Sequence, residues 1–193
     1  MLQHPYPSFG TKALATLRGG GLVLMPTANL WQVVAHCGHQ QAVHRLLDLC
    51  PSAREHRPEL IFPDIDSLRA WCPRIDPTLD TLLLYHRRPL TLSVPAGSRV
   101  PLSLLNEGGE VNVRIASDSG CYRLCEDLEG PLVACLAMGS TQAELPSSFG
   151  KIRCDVLRGV DHIVGRRQKD NLGDQATVTV RINERNEIEF LRT

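Results

Sequence analysis

The sequence lacks the features that mark a membrane, secreted or strongly charged protein. Its 21 Lys and Arg residues balance 21 Asp and Glu residues, so no global basic field indicates binding to nucleic acid or membranes. No apolar run approaches the roughly 20 residues that span a bilayer. Residues 1–10 contain neither the basic nor the apolar segment of a secretory signal. We therefore expect a cytoplasmic protein without membrane contact, in which only a local cleft could be basic.

Cysteine motifs for disulfides or metals are also lacking. The seven cysteines are odd in number and include no CxxC pair, so we expect reduced, mostly apolar packing residues. Only Cys121 and Cys125, four residues apart, have a spacing that justifies a metal test. No local signature marks Cys37 as a nucleophile. A further cluster comprises His36, Cys37, His39 and His44. His39 and His44 are five residues apart in the predicted second helix, so they do not share one helix face, and we predict no metal site.

The chain shows no internal repeat, no low-complexity tract and no linker. Its 193 residues are enough for one domain with a sizeable core. Strand-like and helix-like segments alternate, which predicts a single α/β domain with a mixed sheet. We assign residues 1–193 to this domain, with residues 1–13 as an N-terminal extension and residues 183–193 as the C-terminal strand of a hairpin.

A glycine-rich segment at residues 19–27 predicts the opening strand. Three glycines precede the apolar run Leu22–Met25, and Pro26 cannot continue a sheet ladder, so the strand should end there. A loop that leaves a buried strand is a common ligand position in α/β folds. The alternative is a core strand followed by an ordinary turn.

The remaining pattern predicts helices over residues 4–18, 39–49, 64–71, 76–85, 121–128 and 147–157. Asp64 is the predicted N-cap of the third helix, and the fourth begins at Asp76 or Thr78. Strands are predicted over residues 59–62, 90–94, 111–115, 132–137 and 162–164, with a hairpin of residues 177–182 and 187–191. Residues 28–37 form a mixed segment without an assignment. In the alternating strand Val111–Ile115, Arg114 lies on the face opposite the valines, and a buried arginine requires an anionic partner from the protein or a ligand.

Several motifs, taken in order, resemble the YrdC-like (threonylcarbamoyl-AMP synthase) family from about Leu14 to Arg192. The motifs are the glycine-strand-Pro-Thr opening, Arg45–Leu49, Arg87-Arg88-Pro89-Leu90-Thr91-Leu92, Val111–Ile115, Pro131-Leu132-Val133, Thr177–Val180 and Leu191-Arg192. The resemblance implies a twisted mixed sheet, flanked by helices, around a central cavity with a positive lining.

The resemblance also implies a chemistry. Members of the family bind ATP and threonine and condense them with bicarbonate to threonylcarbamoyl-adenylate, with release of pyrophosphate. The product serves the threonylcarbamoyladenosine modification of tRNA, and some members are described as binding double-stranded RNA. For this chain the implied cofactor is ATP with Mg²⁺, and the implied partners are threonine and tRNA or double-stranded RNA.

Six residues are implied as nucleotide- or threonine-binding. Four occupy positions of the family's motifs, and Arg54 and Arg57 are the only cationic substitutes in its basic loop. Cationic side chains are needed there because developing negative charge must meet preorganised donors. The four motif residues are Thr27, Thr91, Arg114 and Thr177.

The sequence departs from the family after Val133, where a serine-threonine-serine-alanine-asparagine run contacts the nucleotide in the family. Here residues 134–138 read Ala-Cys-Leu-Ala-Met, and Ala28, Asn29 and Ala176 replace other family residues. Each lost hydrogen bond costs on the order of 1 kcal/mol. The departure implies a partly eroded nucleotide site. The open alternatives are an enzyme with an altered site, a non-catalytic module for nucleotide or RNA, and an unrelated α/β protein.

Two basic loops are candidate contacts for RNA or phosphate, with solvated loops as the alternative. Their cationic residues are Arg87, Arg88, Arg166, Arg167 and Lys169. Trp31 and Tyr85 could stack on a base, and packing in the core or a cleft is the alternative for both.

Overall fold

A computed structural model describes residues 10–28, 30–51, 56–85, 89–138, 144–165, 177–183, 185 and 187–192. The strands are β1 Val23–Pro26, β2 Trp31–His36, β3 Glu59–Phe62, β4 Leu90–Pro95, β5 Glu110–Ile115, β6 Leu132–Leu136, β7 His162–Ile163, β8 Val178–Ile182 and β9 Ile188–Arg192. The helices are α1 Thr11–Arg18, α2 Gln40–Leu49, α3 Ile65–Trp71, α4 Pro77–Tyr85, α5 Ser119–Leu128 and α6 Cys154–Gly159.

The nine strands form one sheet in the order β7-β1-β2-β6-β3-β5-β4-β8-β9. The pairs β1–β7, β3–β5 and β4–β8 are parallel, and the other neighbours are antiparallel. The predicted single α/β domain with a mixed sheet and flanking helices is therefore confirmed. The predicted C-terminal hairpin is confirmed as well, because β8 and β9 pair antiparallel.

The glycine-rich segment joins α1 to β1 by a close turn. Gly20 has a φ of 75°, which favours glycine, and a Cβ on Gly21 would lie 2.6 Å from the Thr16 methyl carbon. Strand β1 ends at Pro26, as predicted. The glycines are needed because the chain must turn tightly between a helix and a buried strand.

Side-chain caps begin two of the helices. The Asp64 carboxylate accepts a hydrogen bond from the Ser67 backbone N–H at 2.7 Å, which confirms Asp64 as the predicted N-cap of α3. Asp118 caps α5 in the same way, accepting from the N–H groups of Gly120 and Cys121 at 3.1 and 2.9 Å. Both helices therefore begin where a short acidic side chain satisfies free N–H groups.

Two sequence-based assignments need correction. The unassigned residues 28–37 contain the interior strand β2, which is buried along nearly its whole length and so shows no alternation of polar and apolar residues. The helix predicted over residues 147–157 is instead a 3₁₀ turn, Phe149–Lys151, followed by α6. The backbone is extended at Ile152 and Arg153, where ψ is 129° and 152°, so the helix cannot be continuous.

Helices cover the two faces of the sheet unequally. On the first face, a large apolar core unites all the strands from β1 to β8 with α2, α3, α4 and α6. On the second face, a smaller core packs α1 and α5 against β1, β2, β3 and β6 only. The second face of β4, β5 and β8 therefore lies beyond this core and carries polar side chains instead.

All seven cysteines are free thiols, and six of them are buried. They pack as apolar residues in the two cores, except for the exposed Cys154, as the sequence predicts for most of them. No helix in the described ranges is both long and apolar enough to cross a bilayer.

Candidate functional site

Strand alternation assembles a group of polar side chains on the second face of the sheet. Their sequence neighbours on the same strands, such as Leu92 and Val113, point into the large apolar core on the first face. All but Asn112 are at most 6% exposed. We call this group the polar face; it comprises Gln32, Glu59, Thr91, Ser93, Asn112, Arg114, Thr177 and Thr179.

Arg114 lies at the centre of the polar face and is fully buried. Its Nε donates to Oε2 of Glu59 at 2.9 Å, and its Nη2 donates to Oε1 of Gln32 at 2.7 Å. The parallel pairing of β3 with β5 places Glu59 beside Asn112, two residues before Arg114. The anionic partner that a buried arginine requires is therefore supplied by the protein, as one of the two predicted options.

The second oxygen of Glu59 binds two threonine hydroxyls. Oε1 of Glu59 lies 2.7 Å from Oγ1 of Thr91 and 2.8 Å from Oγ1 of Thr177. The two hydroxyl oxygens are themselves 2.8 Å apart. Each hydroxyl has a single proton, so the two hydroxyls supply two hydrogen bonds across these three contacts. Glu59 thus links β3, β4, β5 and the start of β8.

One end of the Arg114 guanidinium remains without a partner. Nη1 is buried, and no described residue accepts a hydrogen bond from it. A buried polar group without a partner costs on the order of 1–3 kcal/mol. The two N–H groups of Nη1 are therefore available to an acceptor outside the described residues, and an oxyanion is the acceptor that a guanidinium favours.

A cavity of about 300 Å³ lies next to this network, farther along the same strands. Its lining combines the cations Arg57 and Arg181 with the anion Glu110, whose carboxylate accepts hydrogen bonds from Ser93 at 2.9 Å and Asn106 at 3.0 Å. The lining is polar and of mixed charge, and it comprises Arg57, Ser93, Asn106, Glu110, Asn112, Thr179, Arg181 and Leu191.

The structure brings together four of the six residues that sequence analysis assigns to ligand binding. Thr91, Arg114 and Thr177 meet at Glu59, and the exposed Arg57 lines the neighbouring cavity. Thr27 lies in the turn between β1 and β2, fully buried, where its hydroxyl donates to the Leu30 carbonyl oxygen at 2.9 Å. The remaining candidates lie outside the described residues: Arg54, Arg87, Arg88, Arg166, Arg167 and Lys169.

Sequence analysis did not assign Gln32 and Glu59 to the site, although both contact Arg114 in the structure. A signal for Glu59 exists, because a glutamate at the start of an apolar strand is unusual unless it has a buried partner. Gln32 gave a similar signal as an amide in an otherwise apolar stretch. Neither residue could be paired with Arg114, since contacts across a sheet depend on strand order and register.

The apolar run that replaces the family's serine-rich segment lies in and just after β6. Ala134, Cys135, Ala137 and Met138 are buried, and Leu136 is half-buried opposite Gln32 on β2. Alanine, leucine and methionine side chains cannot donate hydrogen bonds to phosphate or ribose oxygens. Leu136 is the one partly exposed residue of this run, and it places apolar surface beside Gln32 of the polar face.

The histidine cluster and the aromatic candidates have other roles. The rings of His36 and His39 lie 5.3 Å apart, and burial, together with the electrostatic influence of His39, lowers the pKa of His36. The described ranges contain no group of three or more His, Cys, Asp or Glu residues that could hold a metal ion. Trp31 is fully buried and packs 5.3 Å from the Phe149 ring, so it is a core residue. The side chain of Tyr85 lies outside the described side chains.

Comparison with known proteins decides the family. A family model for Sua5, YciO and YrdC, described as telomere recombination, matches residues 15–193. The chain belongs to the Sua5/YciO/YrdC family. It is similar to the threonylcarbamoyl-AMP synthase of Stenotrophomonas maltophilia, with 31% identity over 126 residues, 63% of this chain and 67% of the relative. The Xanthomonas euvesicatoria enzyme of the same name is 28% identical over 126 residues, 64% of this chain and 67% of the relative.

Solved structures of family members share the fold. E. coli YciO superposes with a TM-score of 0.79 at 20% identity, covering 94% of this chain and 86% of YciO. P. abyssi Sua5 complexed with L-threonine superposes with a TM-score of 0.78 at 22% identity, covering 94% of this chain and 52% of Sua5. This chain therefore spans about half the length of Sua5, and the shared part is the α/β domain described above.

Proposed function

We propose that this chain binds a nucleotide and threonine at the polar face and forms L-threonylcarbamoyladenylate from ATP, threonine and bicarbonate. The product would serve the threonylcarbamoyladenosine modification of tRNA. Similarity to two threonylcarbamoyl-AMP synthases over 126 residues supports the reaction class. The observation that carries the proposal is the buried guanidinium of Arg114, whose Nη1 has no partner among the described residues.

The chemistry of the reaction suits a buried guanidinium. Release of pyrophosphate from ATP develops negative charge on phosphate oxygens, and a donor that is already oriented stabilises this charge without reorganisation. Low local polarity strengthens each such contact. The hydroxyls of Thr91 and Thr177 add neutral donors within hydrogen-bond distance of the same carboxylate that contacts Arg114. Mg²⁺ would accompany the triphosphate and neutralise part of its charge.

Isothermal titration with ATP, with and without threonine and bicarbonate, tests the proposal together with an assay for pyrophosphate release. We expect ATP binding and threonine-dependent release of pyrophosphate. Arg114→Lys keeps the charge but loses the planar fork, so it should lower the rate by about tenfold or more. The matched control is Arg45→Gln, which removes an arginine from an exposed ion pair with Asp161. Absence of both ATP binding and pyrophosphate release would contradict the proposal.

A non-catalytic module that binds nucleotide or double-stranded RNA, including tRNA, is the second candidate. The apolar run at residues 134–138 favours it, because this run lacks the hydroxyl and amide groups that contact nucleotide in the family. Titration with tRNA and with duplex RNA at two salt concentrations tests this candidate. Binding that weakens with salt, without pyrophosphate release from ATP and threonine, would support it.

A further inference from the structure

One carboxylate contacts three of the side chains to which we assign ligand binding. Oε2 of Glu59 accepts from Arg114, and Oε1 lies within hydrogen-bond distance of both Thr91 and Thr177. A cationic fork and two hydroxyls are the groups that would otherwise surround a phosphate or carboxylate of a ligand. The Glu59 side chain is therefore held as an anionic ligand would be held.

The contacts leave Arg114 only partly satisfied. Glu59 and Gln32 engage Nε and Nη2, while the buried Nη1 has no partner within the described ranges. The ion pair is almost completely shielded from water, since the side chains of Arg114 and Glu59 are 0% and 6% exposed. Charges in such surroundings interact strongly, so the negative charge of Glu59 opposes the entry of any second anion beside Arg114.

We propose that Glu59 is a specificity-determining residue that competes, within the molecule, with anionic ligands for Arg114, Thr91 and Thr177. The ion pair has no net charge, and a phosphate group must either displace the carboxylate or bind at Nη1 against its repulsion. Wild-type protein therefore binds polyphosphates less tightly than a variant that lacks the Glu59 charge. This inference takes only one thing from the proposed function, namely that the ligand binds at the polar face.

A purely structural ion pair makes a different prediction. If Glu59 served only to neutralise Arg114, its replacement would destabilise the fold without creating affinity for anions, as loss of one partner of a buried pair does. The two roles are therefore separated by the affinity for a small anion and by whether this anion restores the stability of the variant.

Inorganic pyrophosphate is the probe, because its binding requires neither threonine nor synthase activity. Its affinity is measured by isothermal titration for wild type, Glu59→Gln and Glu126→Gln, and its effect on thermal unfolding is measured for each. Glu126→Gln is the control, because it makes the same substitution at an exposed position of α5, outside the polar face and its cavity. We expect Glu59→Gln to bind pyrophosphate about tenfold more tightly or better, and Glu126→Gln to change affinity by about twofold at most.

Two further variants complete the design. Glu59→Gln/Arg114→Met should lose the gained affinity, which shows that the anion binds at Arg114. Glu59→Asp, whose carboxylate is one methylene shorter, is measured in parallel as a milder change and should show an intermediate gain. Equal or weaker pyrophosphate binding by the folded Glu59 variants would overturn the proposal, as would failure of both Glu59→Gln and Glu59→Asp to fold even with pyrophosphate present.

The outcomes separate this inference from the proposed function. Tighter pyrophosphate binding by Glu59→Gln would support the role of Glu59 even if no variant released pyrophosphate from ATP and threonine. Conversely, wild-type synthase activity with unchanged pyrophosphate affinity in Glu59→Gln would support the proposed function and refute the inference.

Discussion

Glu59 and Arg114 show how one pair of residues combines stability with chemistry. Both charges are withdrawn from water, and each depends on the other for compensation. The same pair also positions other side chains of the polar face, because the Glu59 carboxylate lies within hydrogen-bond distance of the Thr91 and Thr177 hydroxyls. At the residue scale, changes at either position should therefore affect folding as well as ligand binding.

Arg114→Met should lower the free energy of unfolding by about 3–5 kcal/mol, because it leaves the Glu59 carboxylate buried without its cation. Glu59→Gln/Arg114→Met removes both charges and should recover a large part of this loss. Urea denaturation followed by circular dichroism measures both values. Arg45→Gln is the control, since its exposed ion pair should contribute less than about 1 kcal/mol. A double variant as unstable as Arg114→Met would contradict this account of the buried pair.

Helix α5 carries much of the core on the second face of the sheet. Leu124, Cys125 and Leu128 pack with α1 against the strands, and Asp118 holds the first turn by two hydrogen bonds. The N-terminal N–H groups of a helix have no partner within the helix, so a capping carboxylate replaces water there. Loss of the Asp118 side chain should therefore destabilise the first turn of α5.

Asp118→Ala should lower the free energy of unfolding by about 1–2 kcal/mol, whereas Asp118→Asn, which keeps the accepting oxygen, should change it by only a few tenths. Asp127→Ala is the matched control, because it makes the same substitution at an exposed position near the other end of α5, where an acidic side chain is unfavourable. Thermal and urea unfolding of the three variants provide the comparison. Equal losses for Asp118→Ala and Asp127→Ala would show that capping does not matter here.

Packing on the two faces of the sheet determines which cysteine thiols are exposed to solvent. Six of the seven cysteines are buried in the two cores, and Cys154 alone is exposed. Burial raises the pKa of Cys37 to about 12, against the opposing charge of Arg99, and burial raises the pKa of Cys125 to about 12. A thiol reacts as its thiolate, so these two groups stay unreactive at neutral and mildly alkaline pH.

Native protein should therefore show one rapidly reacting thiol per chain with Ellman's reagent at pH 8, and Cys154→Ser should remove it. Because the raised pKa values keep Cys37 and Cys125 protonated below about pH 11, raising the pH from 7 to 9 should not increase the number of reactive thiols. In guanidinium chloride all seven should react. Two or more fast thiols in the native protein would contradict the core packing described above.

Prediction from sequence succeeded where local chemistry decides the structure. The end of β1 at Pro26, the cap of α3 at Asp64 and the alternation of β5 each follow from residues close in sequence. It failed for β2, whose burial on both faces removes any alternation, and for residues 147–157, where extended backbone at Ile152 interrupts the helical pattern.

Prediction of the candidate site from sequence also succeeded in part and failed in part. The sequence by itself determined that Arg114 lies opposite the valines of its strand and needs an anionic partner, because side chains alternate along any strand. Only the tertiary structure decided that this partner is Glu59, and that Thr91 and Thr177 share it. These contacts depend on the order β3-β5-β4-β8 and on the register of each pair, which no short stretch of sequence specifies.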